Sequence, residues 1–258
     1  MLKRRRRAGT YAEERYRRGL RSWRAKNRRL FLALCAPFIV VGIVVGILAG
    51  NFIAWFAGMV AGAFAAMWIV LRETPPRYVE KWHDGTEGER KTEKALRPLE
   101  RAGWHVVHDI QNGYGNYDHI AVGSTGVYLL ESKNLQGIVE VKGGVPHLAR
   151  RHDPEENMAF DRIRPRALTD AVRVKEDIER RTGHRVWVQA VVVFWSEFPE
   201  GSVEDDNCFF VDGSRLRDWL QNRPRRLDQA AVEEIAAGIE GIAEDAAADR
   251  VRPELSPA

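Results

Sequence analysis

Cysteine is scarce in this 258-residue chain, with only two present. Cys35 lies in a long apolar run and Cys208 far beyond it, so the later part of the chain holds one cysteine and cannot form an internal disulfide, which fits a reducing compartment. No CxxC pair and no clustered Cys/His spacing points to structural zinc; the seven histidines are scattered. A Walker-type glycine loop is missing, as is a Gly-x-Ser-x-Gly elbow, and there is no internal repeat. Charge is missing from one place above all. From Leu30 to Leu71 there is no Asp, Glu, Lys or Arg.

One helical span of a hydrocarbon core about 30 Å thick takes about 20 residues. The uncharged run is about twice that length, with Gly50-Asn51 at its middle. It reads as an α-helical transmembrane hairpin over residues 30–71, with spans at about 30–49 and 52–71. A cleaved signal peptide is shorter and does not follow a long basic segment. Residues 1–29 hold 13 Lys/Arg against two acids. Positive flanks stay cytoplasmic, and two spans return the chain to its starting side, so both termini are expected in the cytoplasm at the cell membrane. Gly42, Gly46 and Gly50, and then Ala54, Gly58, Gly62 and Ala66, recur every four residues. Small residues at this spacing let helices approach closely, so the hairpin would pack on itself or pair with another copy as a homo-oligomer.

The net charge of +4 conceals two opposite parts. The first 29 residues contribute +11, which leaves −7 for the rest. A basic chain-wide pI is therefore no argument for nucleic-acid binding by the later part. The basic segment suits an anionic lipid bilayer more than nucleic acid, because it adjoins the apolar run. Tyr16, Leu20 and Trp23 form a sparse helical stripe of the kind an interfacial helix carries.

The richest chemistry lies in Asp118–Lys133, DHIAVGSTGVYLLESK. Two apolar runs flank GSTG and read as a β-hairpin with a four-residue loop. With Val122 facing Val127, counting back along both strands sets Asp118 opposite Glu131. Directly opposed residues have Cβ atoms about 4.5–5.5 Å apart. Side chains alternate along a strand, so Lys133 shares the face of Glu131, whereas His119 points to the other face. Two carboxylates and an ammonium thus converge at one hairpin end. Hard cations such as Mg²⁺ take oxygen ligands, often one or two carboxylates with water. A lysine beside them can orient attacking water or neutralise a phosphoryl group. A surface salt bridge across two strands would account for the same triplet at a worth of about 0–1 kcal/mol.

Upstream, Glu89, Thr92, Leu96 and Leu99 fall at helical spacing, so Glu89 continues an apolar stripe toward the helix N-terminus. The local order is helix, strand, loop, strand with Asp, turn, strand with Glu-x-Lys. Gly85-Thr86-Glu87-Gly88-Glu89, then Tyr117-Asp118-His119-Ile120, then Glu131-Ser132-Lys133-Asn134 with Gly137, resemble the nuclease-related domain (NERD) of the PD-(D/E)xK nuclease superfamily. The resemblance covers about residues 81–200. It implies an α/β, restriction-endonuclease-like mixed sheet flanked by helices. It further implies Asp118, Glu131 and Glu89 as metal-site residues for Mg²⁺ or Mn²⁺, with Lys133, Glu131 and Asp118 catalytic. Residues 157–170 carry no glutamine, so a role given to a glutamine there in the family does not transfer.

The remaining pattern gives short strands at 137–142 and 146–149, a helix at 166–181, a doubly buried strand at 186–195, a strand at 208–211 and a short helix at 214–221 with Ser214 as N-cap. The expected organisation is a basic segment (1–29), hairpin (30–71), linker (72–84), nuclease-related domain (85–222), amphipathic helix (223–250) and disordered tail (251–258). The function read from this is a membrane-anchored, metal-dependent, endonuclease-like hydrolase acting on nucleic acid, with DNA ahead of RNA. The alternative is a catalytically silent nuclease-fold binding or scaffold module on the same anchor.

Overall fold

A computed structural model describes residues 7–49, 56, 58, 60–65, 67–68, 77–112, 115–150 and 157–251. The chain divides into two compact units, Met1–Tyr11 together with Asp84–Ala258, and Ala12–His83.

Most of the Ala12–His83 unit's described residues belong to helix α1 (Thr10–Ala49). Its basic N-terminal half pairs Arg17 with Glu13 and Arg18 with Glu14 one turn apart. Tyr16 meets the His83 ring at 5.5 Å, and the Arg15 guanidinium lies 5.7 Å from the Trp82 ring centre. Among the described residues no helix is long and apolar enough to cross a membrane. The transmembrane hairpin expected over residues 30–71 is thus not found among them. Most side chains of that run, including most of its small residues, lie outside the described residues, as do the charged loop 151–156 and the tail 252–258.

The other unit is a three-layer α/β/α arrangement. Its main sheet has six strands, β1 (His105–Asn112), β2 (Gly115–Gly123), β3 (Gly126–Lys133), β7 (Val188–Phe194), β9 (Cys208–Asp212) and β8 (Ser202–Asp205), in that spatial order. The sheet is mixed: β1, β2 and β3 run antiparallel, β3, β7 and β9 run parallel, and β8 closes the edge antiparallel to β9. Strands β4 (Ile138–Lys142), β5 (Val145–Ala149) and β6 (Met158–Ala159) make a small second sheet. Every residue of β7 is buried, as its unbroken run of β-formers requires for a strand covered on both faces.

Two apolar cores lie on opposite faces of the main sheet. Val122, Leu129, Val192 and Phe210 pack on one face with Ala167, Val174 and Ile178 of α3 (Ile163–Thr182) and Val232, Ile235 and Ile239 of α5 (Gln229–Val251). Ala121, Leu130, Val191 and Val193 pack on the other with Leu96 and Leu99 of α2 (Arg77–Arg101) and Leu216 and Leu220 of α4 (Leu216–Gln221). The helical stripe expected of Glu89, Thr92, Leu96 and Leu99 is buried as a set. Pro98 sits within α2 without ending it.

Residues 77–84, expected as linker, belong to α2, and local details differ from expectation at three further points. Gly123 pairs with Gly126, so the β2–β3 loop has two residues, Ser124 and Thr125, where four were expected. Ser214 does not cap α4; it bonds the Asp212 carboxylate instead, and the residue before α4 is Arg215. The last helix begins at Gln229, six residues later than the amphipathic pattern suggested.

Candidate active site

The β2–β3 ladder pairs Val122 with Val127, Ile120 with Leu129 and His119 with Leu130. One further step sets Asp118 across from Glu131. Both side chains fall on the face covered by α3, and both line a cavity of about 30 Å³. Lys133, two residues after Glu131, reaches back to it with Nζ–Oε1 of 2.6 Å. Asp118 accepts the backbone N–H of Ser132 at 2.8 Å.

Glu89 comes from α2. Gly88 is buried against the end of β3, where a Cβ would stand 3.0 Å from Asn134 Cβ. The missing side chain lets α2 approach closely, and a chain of polar contacts holds it there. Thr92 Oγ1 meets Ser132 Oγ at 2.7 Å and accepts the Trp195 indole N–H at 2.7 Å. Lys91 Nζ donates to Asn134 Oδ1 at 3.0 Å. Glu89 is buried and interacts electrostatically with Asp118, Asp109 and Lys133. Sequence-derived Glu89, Asp118, Glu131 and Lys133 are therefore brought together.

The charge balance of this set is distinctive. Burial raises the Glu89 carboxyl to about 9, helped by Asp118 and Asp109 and opposed by the Gly9 N–H and Lys133. Burial likewise raises Asp118 to about 7; Lys133 opposes this and Glu131 adds to it. Burial works against the Lys133 ammonium, but Glu131 and Asp118 outweigh it and hold the group above its ordinary range. More carboxylate is gathered here than one lysine can neutralise. The donor chemistry of this set suits a hard divalent cation; the Glu89, Asp118 and Glu131 oxygens do not all lie within 4.8 Å of one another, so a shared cation would draw them closer.

Three further residues join the site without having stood out in the sequence. Asp109 lies on β1, where His108 pairs with His119 and Ile110 with Tyr117, so it stands against Asp118. It is buried at φ 52°, a left-handed conformation that non-glycine residues adopt uncommonly, Asp more readily than most. Its carboxylate accepts Asn116 Nδ2 at 3.2 Å and the Tyr11 N–H at 3.0 Å. Arg166 and Asp170 enter from α3 and line the same cavity as Asp118 and Glu131. Burial raises the Asp170 carboxyl despite Arg166 and Arg173 beside it. Strand alternation could have signalled Asp109, which shares the parity of the core residue Val107. Arg166 and Asp170 required knowledge of which helix crosses the strand ends.

Behind the carboxylates, on the α2 face, runs a buried polar relay. Thr92 donates to the Gly88 carbonyl, so Ser132 donates to Thr92 and in turn accepts from His119 Nε2 at 3.3 Å. His119 Nδ1 then accepts from His108 Nδ1 at 2.8 Å. Burial and the neighbouring His108 keep His119 well below its ordinary value, hence neutral. His119 points away from Asp118, as alternation predicts, and serves the relay.

Residues 84–195 match the family model of the nuclease-related domain. An uncharacterised protein of Bacillus anthracis is 32% identical over 77 residues, which is 28% of this chain and 36% of that protein. The chain thus spans little more than a third of that relative's length. No solved structure matches the chain.

Proposed function

We propose that the nuclease-related domain at residues 84–195 is a divalent-metal-dependent nuclease that hydrolyses phosphodiester bonds of nucleic acid, DNA ahead of RNA. The observation that carries this reading is the convergence of Glu89, Asp118, Glu131 and Lys133 from a helix and two strands at one end of β3. A cross-strand salt bridge explains Lys133 and Glu131 alone. It gives no reason to bury Glu89 beside Asp118, where desolvation and the neighbouring acid both work against its ionised form. In the proposed roles Asp118, Glu131 and Glu89 hold Mg²⁺ or Mn²⁺. Bound there, the cation supplies charge stabilisation and a more acidic water. Lys133 orients the hydrolytic water from its seat on Glu131. Arg166, more than half exposed at the cavity edge, offers a bidentate donor set for the phosphate.

The uncharged run at 30–71 and its basic flank support a membrane anchor with both termini in the cytoplasm. A second reading draws on the −7 charge of residues 30–258: a nuclease-fold binding module that lacks turnover, because an acidic domain repels nucleic acid except where cations are held.

The decisive experiment incubates the full chain with labelled single- and double-stranded DNA and RNA, with and without Mg²⁺ or Mn²⁺. Cation-dependent products that disappear in Glu131→Gln support the nuclease. No products from any substrate with any cation would hand the site to the binding-module reading.

A further inference from the structure

The segment just before α1 ends on the acidic site. Gly9 N–H donates to Glu89 Oε2 at 2.8 Å, Ala8 N–H to Glu93 Oε2 at 3.1 Å, and Tyr11 N–H to Asp109 Oδ2 at 3.0 Å. These contacts join residues 80 to 98 positions apart. The first N–H groups of a helix lack intrahelical partners and carry partial positive charge. Such groups are ordinarily satisfied by a local cap. Here Gly9 offers no capping side chain; Glu89 and Asp109 of the candidate site take the Gly9 and Tyr11 amides, and Glu93, one turn beyond Glu89, takes that of Ala8. The fit is close. Ala8 is buried, and a Cβ on Gly9, which sits at φ +78°, would stand 2.9 Å from Thr86 Cγ2.

We propose that residues Arg7–Tyr11 are a built-in plug of the acidic site, whose docking and the binding of a divalent cation oppose one another. The proposal rests on the metal-site reading given above. The plug's amides occupy one oxygen of Glu89 and one of Asp109 and bring positive charge to the place a cation would enter. The Gly9 bond takes Glu89 Oε2 and leaves Oε1, whereas Asp109 is taken on both oxygens, by Tyr11 and by Asn116, so the plug weakens cation binding without abolishing it. Linkage makes the effect reciprocal: a cation that the plug weakens must loosen the plug by the same factor.

Gly9→Ala in the full chain undocks the plug without altering any acid, because the new methyl meets Thr86 in a backbone conformation that alanine resists. Calorimetry with Mn²⁺ should show binding about tenfold tighter than wild type, within the usual range of coupling between sites. Amide exchange at Tyr11 should rise in the variant, and in the wild type it should rise on adding saturating Mn²⁺. Glu93→Gln, which loosens the Ala8 tie, should move both readouts the same way and serves if Gly9→Ala fails to fold. Faster exchange with unchanged Mn²⁺ affinity would overturn the plug and leave the metal site standing. So would wild-type Tyr11 exchange that saturating Mn²⁺ leaves unchanged. No Mn²⁺ binding by wild type or variants would remove the metal-site reading, and the plug with it.

Discussion

Ser132 holds Asp118 by its backbone: the N–H donates to the carboxylate at 2.8 Å. Ser132 lies between Glu131 and Lys133, so this bond ties Asp118 to the strand that carries both. The Ser132 side chain faces the other way, into the relay with Thr92 and His119. One residue therefore links the carboxylate face to the helix that brings Glu89.

Because the tie to Asp118 is made by the main chain, Ser132→Ala should leave it intact. The loss falls on the buried relay, where Thr92 and His119 each lose a partner. Unfolding in urea should show a stability loss of about 1–3 kcal/mol, the cost of leaving buried polar groups unsatisfied. Cation affinity measured on the folded variant should stay close to wild type.

Glu131→Gln and Lys133→Ala should separate binding from turnover. Glu131→Gln keeps size and removes the charge that attracts the cation, so Mn²⁺ affinity and cleavage should both collapse. Lys133→Ala removes a competing positive charge, so affinity should hold or rise, while turnover falls by ~10² or more as a positioned group is lost. Glu140→Gln is the control: Glu140 is half-exposed on β4 and pairs with Lys142, outside the carboxylate set. Wild-type cleavage by both Glu131→Gln and Lys133→Ala would place the chemistry elsewhere.

Without cation, stability should fall as pH rises from about 4 to 9. Glu89 moves from an ordinary 4.5 to about 9 on folding, and Asp118 from 3.8 to about 7. Within those windows the folded state holds protons that the unfolded state has released. Stability therefore declines with pH wherever the folded state binds more protons. Saturating Mg²⁺ should flatten the decline by neutralising the same carboxylates, and Glu89→Gln should reduce it. Thermal unfolding midpoints across pH 5–9, with and without Mg²⁺, measure both effects. A midpoint that climbs toward pH 9 in the absence of cation would contradict the burial of these acids.

Gly88→Ala should harm the site more than the fold. The added methyl would stand 3.0 Å from Asn134 Cβ and 3.3 Å from its backbone nitrogen, so α2 must shift from the end of β3. Overpacking of this kind typically costs about 1–3 kcal/mol. Displacing Glu89 should weaken Mn²⁺ binding even at temperatures where the variant stays folded, which calorimetry and thermal unfolding together would show.

The sequence by itself determined the register of the β2–β3 hairpin and the buried stripe of α2. Setting Val122 opposite Val127 across GSTG was enough to oppose Asp118 and Glu131, because a one-residue slip would exchange the side chains of the two faces. The helical stripe from Glu89 to Leu99 was legible for the same reason, a burial period of 3.6. What the pattern could not contain was contact between elements far apart in the chain. Asp109 shows no mark of its left-handed backbone in its own neighbourhood. Arg166 and Asp170 reach the cavity only because α3 crosses the strand ends. The amides of Ala8, Gly9 and Tyr11 have no side-chain signature at all. Their partners are 80 to 98 residues away, and a backbone N–H is the same in every residue but proline. Such bonds are chosen by how layers pack, which the tertiary structure alone decides.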